Sequence, residues 1–170
     1  LADFMEQRLQ RLLAGDLPAV AAVACACAEA KGEVVTTDFR ETGRRRVLNL
    51  GHTYGHAVES WHHYRVSHGQ SVAAGLLVAT ELSRARGLID EALAERATRI
   101  LLALATRPFA LPSAEQAWPI MLNDKKTVAG RLTFVLLTGL GQHACVDDVT
   151  PAELAAALAR LAPRWTVVPL

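Results

Sequence analysis

The sequence predicts a mainly α-helical fold with one small β-hairpin. Helix start and stop signals recur along the chain, with apolar side chains at spacings of three and four residues between them. Only the region of residues 132–146 combines a short apolar run with a glycine-rich turn and a second short run. At 170 residues the chain is long enough to form one domain with a substantial core. We therefore expect residues 1–170 to form one multi-helix domain.

The first helices are marked by glycine and by a capping residue. Residues 3–14 place apolar side chains at helical spacing and are followed by Gly15. Asp16 then caps a second helix, whose alanine, valine and cysteine residues are apolar nearly all round, so we expect this helix to be buried. The cysteines are odd in number and lie in apolar surroundings, which predicts small buried side chains in a reducing compartment. They are Cys25, Cys27 and Cys145.

The middle of the chain predicts a long helix from about Arg45 to about Tyr64, after an irregular or partly helical connection over residues 33–43. The predicted helix contains Gly51 and Gly55, each of which costs up to about 1 kcal/mol relative to alanine. Such glycines need a structural reason. The two glycines indicate a close approach, either by another helix or by a ligand that lies against the backbone.

The remaining helices are predicted from their caps. Ser67 and Gln70 have the spacing of a capping box for a helix that runs to about Arg86 and stops at Gly87. Residues 132–137 and residues near 143–146 are the two strands of the expected hairpin. Three further helices are predicted to begin after Asp90, Ser113 and Thr150.

Histidines are concentrated between Arg44 and Gln70, which contain five of the six in the chain. In a continuous helix, one face of this stretch would carry four polar groups, and imidazole is a common ligand for zinc and related metals. A polar helix face whose histidines meet solvent is the alternative. His68, in the first turn of the next helix, is either a metal ligand or a surface residue. The four groups on the shared face are His52, His56, Glu59 and His63.

Bulk composition excludes several classes of protein. The chain is 51% hydrophobic and 21% charged with a net charge of +1, so no nucleic-acid partner is indicated. We find no signal-peptide pattern and no apolar run of 18 residues. These features favour a cytoplasmic protein without a membrane partner. The chain begins at Leu1 inside a predicted helix, without an initiator methionine, so we expect it to be part of a longer protein.

Three segments carry a family resemblance. The run K-G-E-V-V-T-T-D-F-R-E-T-G-R-R-R-V-L-N-L-G-H-T-Y-G-H-A-V-E is followed by S-H-G-Q-S-V-A-A-G-L and then by D-K-K. In this order they closely resemble the C-terminal domain of 3-dehydroquinate synthase, a sugar phosphate cyclase, over essentially the whole chain. The resemblance implies a helical domain that binds metal and substrate beside an N-terminal NAD-binding domain, which this chain does not contain. It also implies zinc or cobalt and NAD as cofactors, and a homodimer.

The resemblance assigns roles to individual residues. His52 and His68 match metal ligands, and the resemblance implies that the third ligand is a glutamate upstream of where this chain begins. His56 matches an acid/base group that contacts the substrate, and Glu41 an acidic position involved in proton transfer. His62 and His63 are then expected to be surface residues. The substrate-binding positions that the family implies are Lys31, Arg45, Asn49 and one or both of Lys125 and Lys126.

The implied reaction converts 3-deoxy-D-arabino-heptulosonate 7-phosphate to 3-dehydroquinate and phosphate, a lyase step of the shikimate pathway to aromatic amino acids. Without the NAD domain we expect this chain alone to be inactive. Gln70 stands where the family usually has glutamate, although glutamine serves nearly as well in a capping box.

Three other functions are compatible with the sequence. A sibling cyclase would act on sedoheptulose 7-phosphate or glucose 6-phosphate, and Arg45 and Lys31, which suit a carboxylate, disfavour it. A metal-dependent hydrolase is disfavoured because the helix lacks the glutamate of an H-E-x-x-H motif. The third alternative is a non-catalytic helical domain, in which the residues of the motif serve only to pack the core.

Overall fold

The computed structural model describes residues 1–40, 43–105, 109–123 and 132–165. Within these ranges it contains eight α-helices, one 3-10 helix and one two-stranded antiparallel sheet. The predicted fold class, mainly α with one hairpin, is confirmed. The chain divides into two compact units, Leu1–Leu48 and Asn49–Leu170, and each is considered by itself.

The first unit begins with two short helices where the sequence predicted one. These are α1 (Ala2–Glu6) and α2 (Leu9–Leu13), so the single helix over residues 3–14 is wrong. At the break, the Arg8 guanidinium lies 3.5 Å from the centre of the Phe4 ring and also donates to the Phe4 carbonyl. Gly15 ends α2 with a φ of +72°, as predicted. Asp16 caps the third helix, α3 (Leu17–Thr37), by accepting a hydrogen bond from the Ala19 backbone N–H.

Helix α3 differs from its prediction in length and in burial. It continues to Thr37, into the segment predicted to be an irregular or partly helical connection. The hydroxyls of Thr36 and Thr37 donate to carbonyls one turn earlier, 2.9 Å away in each case. Of its residues only Ala19 is buried, and Cys25 and Cys27 are exposed. The expectation of a buried helix with buried cysteines is therefore wrong. Two short helices in the same unit offer too little apolar surface to cover every face of a 21-residue helix.

The predicted continuous helix from Arg45 to Tyr64 is also wrong. A 3-10 helix, η1, covers Arg44–Asn49, and the helix α4 covers His52–Trp61. Between them Gly51 adopts a φ of +75°, a left-handed conformation that interrupts the helical hydrogen bonds. His52 thereby becomes the first residue of α4. At the other end the chain leaves the helix through two positive φ angles, at His63 and Tyr64.

The second unit contains α4 and four further helices. Among the described residues of the chain, no helix is long and apolar enough to span a membrane. The predicted caps at Asp90, Ser113 and Thr150 all form, the last two as capping boxes. The Ser67 capping box does not form, because the Ser67 hydroxyl donates to the Gln70 side chain instead of accepting from the backbone. The helices are α5 (His68–Ala85), α6 (Glu91–Leu104), α7 (Ala114–Leu122) and α8 (Pro151–Leu161).

Helices α4 and α5 approach closely through three glycines. A Cβ atom added to Gly55 would lie 3.0 Å from the Ser71 carbonyl oxygen, and one added to Gly51 would lie 2.6 Å from the Leu76 backbone nitrogen. A Cβ atom on Gly75 would overlap the Gly51 carbonyl oxygen. The interpretation of Gly51 and Gly55 as a site of close approach by another helix is confirmed.

The β-hairpin packs against α5. Strand β1 (Phe134–Gly139) pairs antiparallel with β2 (Gln142–Val146), close to the predicted strands. The Ser83 hydroxyl of α5 accepts from the Leu137 backbone N–H at 2.8 Å, which fixes the hairpin to the helix. Alternate residues of a two-stranded sheet face solvent, and Cys145 in β2 is exposed, contrary to the expectation that it is buried.

An arginine links the end of α5 to the start of α8. The Arg86 guanidinium donates to both carboxylate oxygens of Glu153, at 2.8 and 3.1 Å, and to Asp148 at 2.6 Å. These hydrogen bonds stabilise the ionised form and lower the pKa of Glu153 to about 2. Glu153 also completes the capping box of α8, so one carboxylate holds two elements.

We expect the Glu153 carboxyl to titrate near pH 2 in a carbon-detected NMR titration. Because its pKa in the folded chain lies below the usual 4.5, its contribution to stability is present above pH 4.5 and is lost as the pH falls towards 2. Arg86→Gln should move the midpoint towards 4.5. Arg65→Gln removes the same charge from an exposed position and should leave the Glu153 midpoint unchanged. A wild-type midpoint near 4.5 would contradict the assignment.

Candidate metal centre

Three histidine rings converge at the corner between α4 and α5. The ring centre of His52 lies 5.4 Å from that of His56 and 5.4 Å from that of His68, and the last two are 6.1 Å apart. His52 is the first residue of α4, and His56 follows one turn later on the same face. His68 is the first residue of α5. The close glycine contact between these helices brings the three rings together.

A carboxylate completes the cluster. Glu59 lies on α4 one turn beyond His56, and its Oε1 is 3.1 Å from Nδ1 of His68. One ligand atom each from His56, Glu59 and His68 lie within 4.8 Å of one another. His52 adjoins this group, with its Nδ1 3.1 Å from the Leu50 carbonyl oxygen. The corner therefore presents three imidazoles and one carboxylate.

The other two histidines of the stretch do not join the cluster. His63 is exposed and lies beyond the end of α4, so the predicted face of His52, His56, Glu59 and His63 loses its last member, and His68 stands next to Glu59 instead. His62 is partly buried rather than a simple surface residue. Its Nε2 lies 2.8 Å from the Ala110 carbonyl oxygen, and its ring packs edge-on against Phe109.

A cleft of about 570 Å³ opens beside the cluster. His56 and Glu59 line it from α4, and Met121 and Asn123 line it from α7 and the residue after it. Most of the residues that line this cleft were not predicted from the sequence to be part of a site. The helical pattern placed Glu59 on the same face as His56, but nothing in the local pattern marks the others. The remaining lining residues are Ala57, Ser60, Tyr64 and Ile120.

The predicted substrate-binding residues are distributed over both units and the undescribed ranges. Asn49 is partly buried at the end of η1, three residues before His52. Lys31 is exposed on α3, and Arg45 donates to the Phe39 carbonyl at 2.7 Å; both belong to the first unit. Of the predicted site residues that the structure describes, the three histidines of the cluster and Asn49 belong to the second unit. Glu41, Lys125 and Lys126 lie outside the described residues.

The donor atoms at the corner fit a divalent metal ion. Imidazole nitrogen and carboxylate oxygen are the usual protein ligands of zinc, and the same set suits cobalt. His52 and His68 are each the first residue of a helix, so rigid backbone positions both rings. Glu59 and the Leu50 carbonyl lie beside the Nδ1 atoms of these two rings. Such partners are the outer hydrogen bonds that metal-binding histidines normally have.

Comparison with known proteins identifies the family. The family model of the 3-dehydroquinate synthase C-terminal domain matches residues 1–127. The chain belongs to this family. The resemblance seen in the sequence is thereby confirmed over three quarters of the chain, and the matched residues include all three histidines of the cluster.

Curated relatives agree with the family model. The chain is 39% identical over 171 residues to the 3-dehydroquinate synthase of Rhizobium meliloti strain 1021, covering 95% of this chain and 45% of the relative. It is 41% identical over 163 residues to the enzyme of the same name from Dichelobacter nodosus, covering 92% of this chain and 43% of that one. The chain thus spans less than half the length of these relatives.

Solved structures show the same fold. The 2-epi-5-epi-valiolone synthase from Streptomyces hygroscopicus subsp. jinggangensis 5008, with NAD+ and Zn2+ bound, matches with a TM-score of 0.71 and 26% identity, over 96% of this chain and 44% of that one. A 2-deoxy-scyllo-inosose synthase, complexed with carbaglucose-6-phosphate, NAD+ and Co2+, matches with a TM-score of 0.65 over 79% of this chain and 39% of that one. At 22% identity the second match is evidence for the fold alone.

Proposed function

We propose that this chain is the C-terminal, metal- and substrate-binding part of a 3-dehydroquinate synthase. The reaction converts 3-deoxy-D-arabino-heptulosonate 7-phosphate to 3-dehydroquinate and phosphate, in the shikimate pathway. The observation that carries the proposal is the corner formed by His52, His56 and His68, at the motif positions by which the sequence resembles this family. The 39% identity to a 3-dehydroquinate synthase over nearly the whole chain supports it.

His52 and His68 are the proposed metal ligands, with zinc as the metal and cobalt as a substitute. The relative with bound Zn2+ and NAD+ supports both cofactors. A bound divalent ion polarises a substrate hydroxyl and makes its proton easier to remove. Two histidines leave the coordination incomplete, which is consistent with a third ligand and an NAD site in the part of the relatives that this chain does not span.

The chain's own residues would bind substrate and move protons. His56 lines the cleft beside the two proposed ligands, so its imidazole is placed to exchange a proton with a substrate held there. Glu41 is proposed to assist this transfer. The cationic and amide side chains would hold the carboxylate, phosphate and hydroxyls of the substrate in fixed positions, which is a large part of the catalytic task. They are Lys31, Arg45, Asn49, Lys125 and Lys126.

A sibling sugar phosphate cyclase is the second candidate. The match to the valiolone synthase, at 26% identity and nearly full coverage of this chain, favours it specifically. Arg45 and Lys31 favour the first candidate, because cationic side chains suit a substrate that carries a carboxylate. In either case we propose a cytoplasmic, homodimeric enzyme that has no nucleic-acid or membrane partner.

A fusion enzyme tests the proposed reaction. The N-terminal part of the Rhizobium meliloti relative is joined to this chain, and phosphate release is measured with three substrates in the presence of NAD and zinc. We expect turnover of 3-deoxy-D-arabino-heptulosonate 7-phosphate and none by the 170-residue chain alone. A matched fusion with Glu115→Ala, an exposed position on α7, should be as active as the wild type.

The other outcomes of this experiment are equally informative. Turnover of only sedoheptulose 7-phosphate or glucose 6-phosphate would replace the first candidate with the second. Phosphate release from simple esters without NAD would indicate a metal-dependent hydrolase. A fusion that binds metal and NAD but converts none of the substrates would contradict an enzymatic role and favour a non-catalytic domain.

A further inference from the structure

Glu59 has no assigned role in the proposed reaction, although it contacts the proposed metal ligand His68. It lies in the last turn of α4, and its Oε1 is 3.1 Å from Nδ1 of His68 across the corner to α5. The Glu59 side chain is only 14% exposed, whereas that of His68 is 60% exposed. The carboxylate therefore sits at the inner side of the imidazole, and the outer edge of the ring faces the open side of the corner.

This contact selects one tautomer of His68. An ionised carboxylate can only accept hydrogen bonds, so the hydrogen in a Glu59–His68 bond belongs to Nδ1. The lone pair of a neutral imidazole is then on Nε2, the nitrogen directed away from Glu59. His68 is in this way prepared to bind a cation through Nε2.

The same arrangement recurs at His52 with a different acceptor. Nδ1 of His52 lies 3.1 Å from the Leu50 carbonyl oxygen, which can likewise only accept. Both proposed metal ligands therefore have an acceptor at Nδ1, one from the backbone and one from a side chain. Histidines that bind metals normally have such a partner on the second nitrogen, and removal of the partner weakens metal binding by about 10-fold to 100-fold.

We infer that Glu59 is a positioning residue, which holds His68 as its Nδ1–H tautomer and directs Nε2 to the metal ion. This inference rests on the proposed metal site. The competing role for Glu59 is direct coordination, since its oxygen and the nitrogens of His56 and His68 lie within 4.8 Å. The two roles differ in what they require of residue 59: positioning needs a hydrogen-bond acceptor, and coordination needs a negative charge.

Cobalt binding by the fusion enzyme, which contains the proposed third ligand, separates these roles. Affinity is measured by competition with a chromophoric chelator for the wild type and for three variants. We expect Glu59→Ala to weaken Co2+ binding by about 10-fold to 100-fold. Glu59→Gln, whose amide oxygen still accepts from Nδ1–H, should remain within about threefold of the wild type. Glu115→Ala, which removes an exposed carboxylate elsewhere in the same unit, should have no effect.

A second measurement needs no metal. In a long-range 1H–15N spectrum of the metal-free chain at pH 8, His68 should appear as the Nδ1–H tautomer in the wild type and in Glu59→Gln. In Glu59→Ala it should shift towards the Nε2–H tautomer that free histidine side chains prefer. A purely structural role of Glu59 would leave the tautomer unchanged.

Two results would overturn the inference. If Glu59→Gln loses Co2+ affinity as fully as Glu59→Ala, Glu59 is a direct ligand. If Glu59→Ala binds Co2+ as the wild type does and keeps the tautomer, Glu59 has no role at the metal. Failure of the wild-type fusion enzyme itself to bind Co2+ would instead contradict the proposed metal site, so the two failures are distinguishable.

Discussion

Alanine at His52 or at His68 is expected to remove the metal ion from the fusion enzyme, whereas alanine at His56 is expected to leave it bound. The wild type should hold about one ion per chain, and each of the first two variants close to none, because a catalytic site with three protein ligands does not retain its ion when one is lost. His56→Ala should lower kcat by about 10²-fold to 10⁴-fold, the range for loss of an acid/base group. Metal content is measured by mass spectrometry after desalting.

The geometry makes this a strict test of the role of His56. Its ring is 5.4 Å from that of His52 and 6.1 Å from that of His68, close enough to be a third ligand. Equal loss of metal from all three variants would show that His56 coordinates the ion and would contradict the acid/base role. His63→Ala, at an exposed histidine outside the cluster, is the matched control and should change neither metal content nor rate.

Alanine at Gly75 is expected to lower the unfolding temperature of the chain by roughly 5–10 °C. The added Cβ would overlap the Gly51 carbonyl oxygen, a backbone atom that cannot rotate away, so α4 and α5 must separate. Overpacking of this kind costs about 1–3 kcal/mol or somewhat more, and each kcal/mol corresponds to about 2–4 °C in a chain of this size. The measurement is thermal unfolding followed by circular dichroism.

Gly69 provides the matched control in the same helix. A Cβ atom added there would meet nothing within 4 Å. Gly69→Ala should therefore leave the unfolding temperature unchanged or raise it slightly, since alanine restricts the unfolded chain. An equal loss of stability in Gly69→Ala and Gly75→Ala would show that the effect does not come from the contact between α4 and α5.

Local signals in the sequence predicted most of the second unit. The caps at Asp90, Ser113 and Thr150 are short-range hydrogen bonds, each decided within four residues, and all three form. The hairpin was predicted from two apolar runs and a glycine turn, and its observed strands begin within two residues of the predicted ones. Where short-range interactions within a segment determine its conformation, the sequence was sufficient to predict that conformation.

The sequence-based predictions were wrong where the conformation of a segment depends on its contacts with another segment. The helix predicted from Arg45 to Tyr64 breaks at Gly51, because α5 presses its backbone against this glycine and no side chain would fit there. The apolar composition of α3 predicted burial, but composition does not state how much surface the neighbouring helices can cover. Ser67 was correctly placed before α5, yet its hydroxyl bonds to the Gln70 side chain instead of the backbone.

The candidate site divides in the same way. The motif in the sequence singled out His52, His56 and His68 and implied their roles, while the helical pattern misplaced His63 on the metal face. Only the folded structure shows that His68 contacts Glu59, nine residues earlier, and that His52 contacts the Leu50 carbonyl. Hydrogen bonds between elements depend on where α4 ends and how closely α5 approaches, and neither quantity is encoded in residue spacing.

By itself the sequence determined the family, the mainly helical class with its hairpin, and the identity of the three histidines, because these follow from motif letters and short-range caps. The tertiary structure decided that the histidines form a two-helix corner and not one helical face, and that a mostly buried glutamate supports one of them. The reason is the contact of Gly51 and Gly55 with Gly75: helices that touch without side chains between them bring two chain segments within hydrogen-bonding distance.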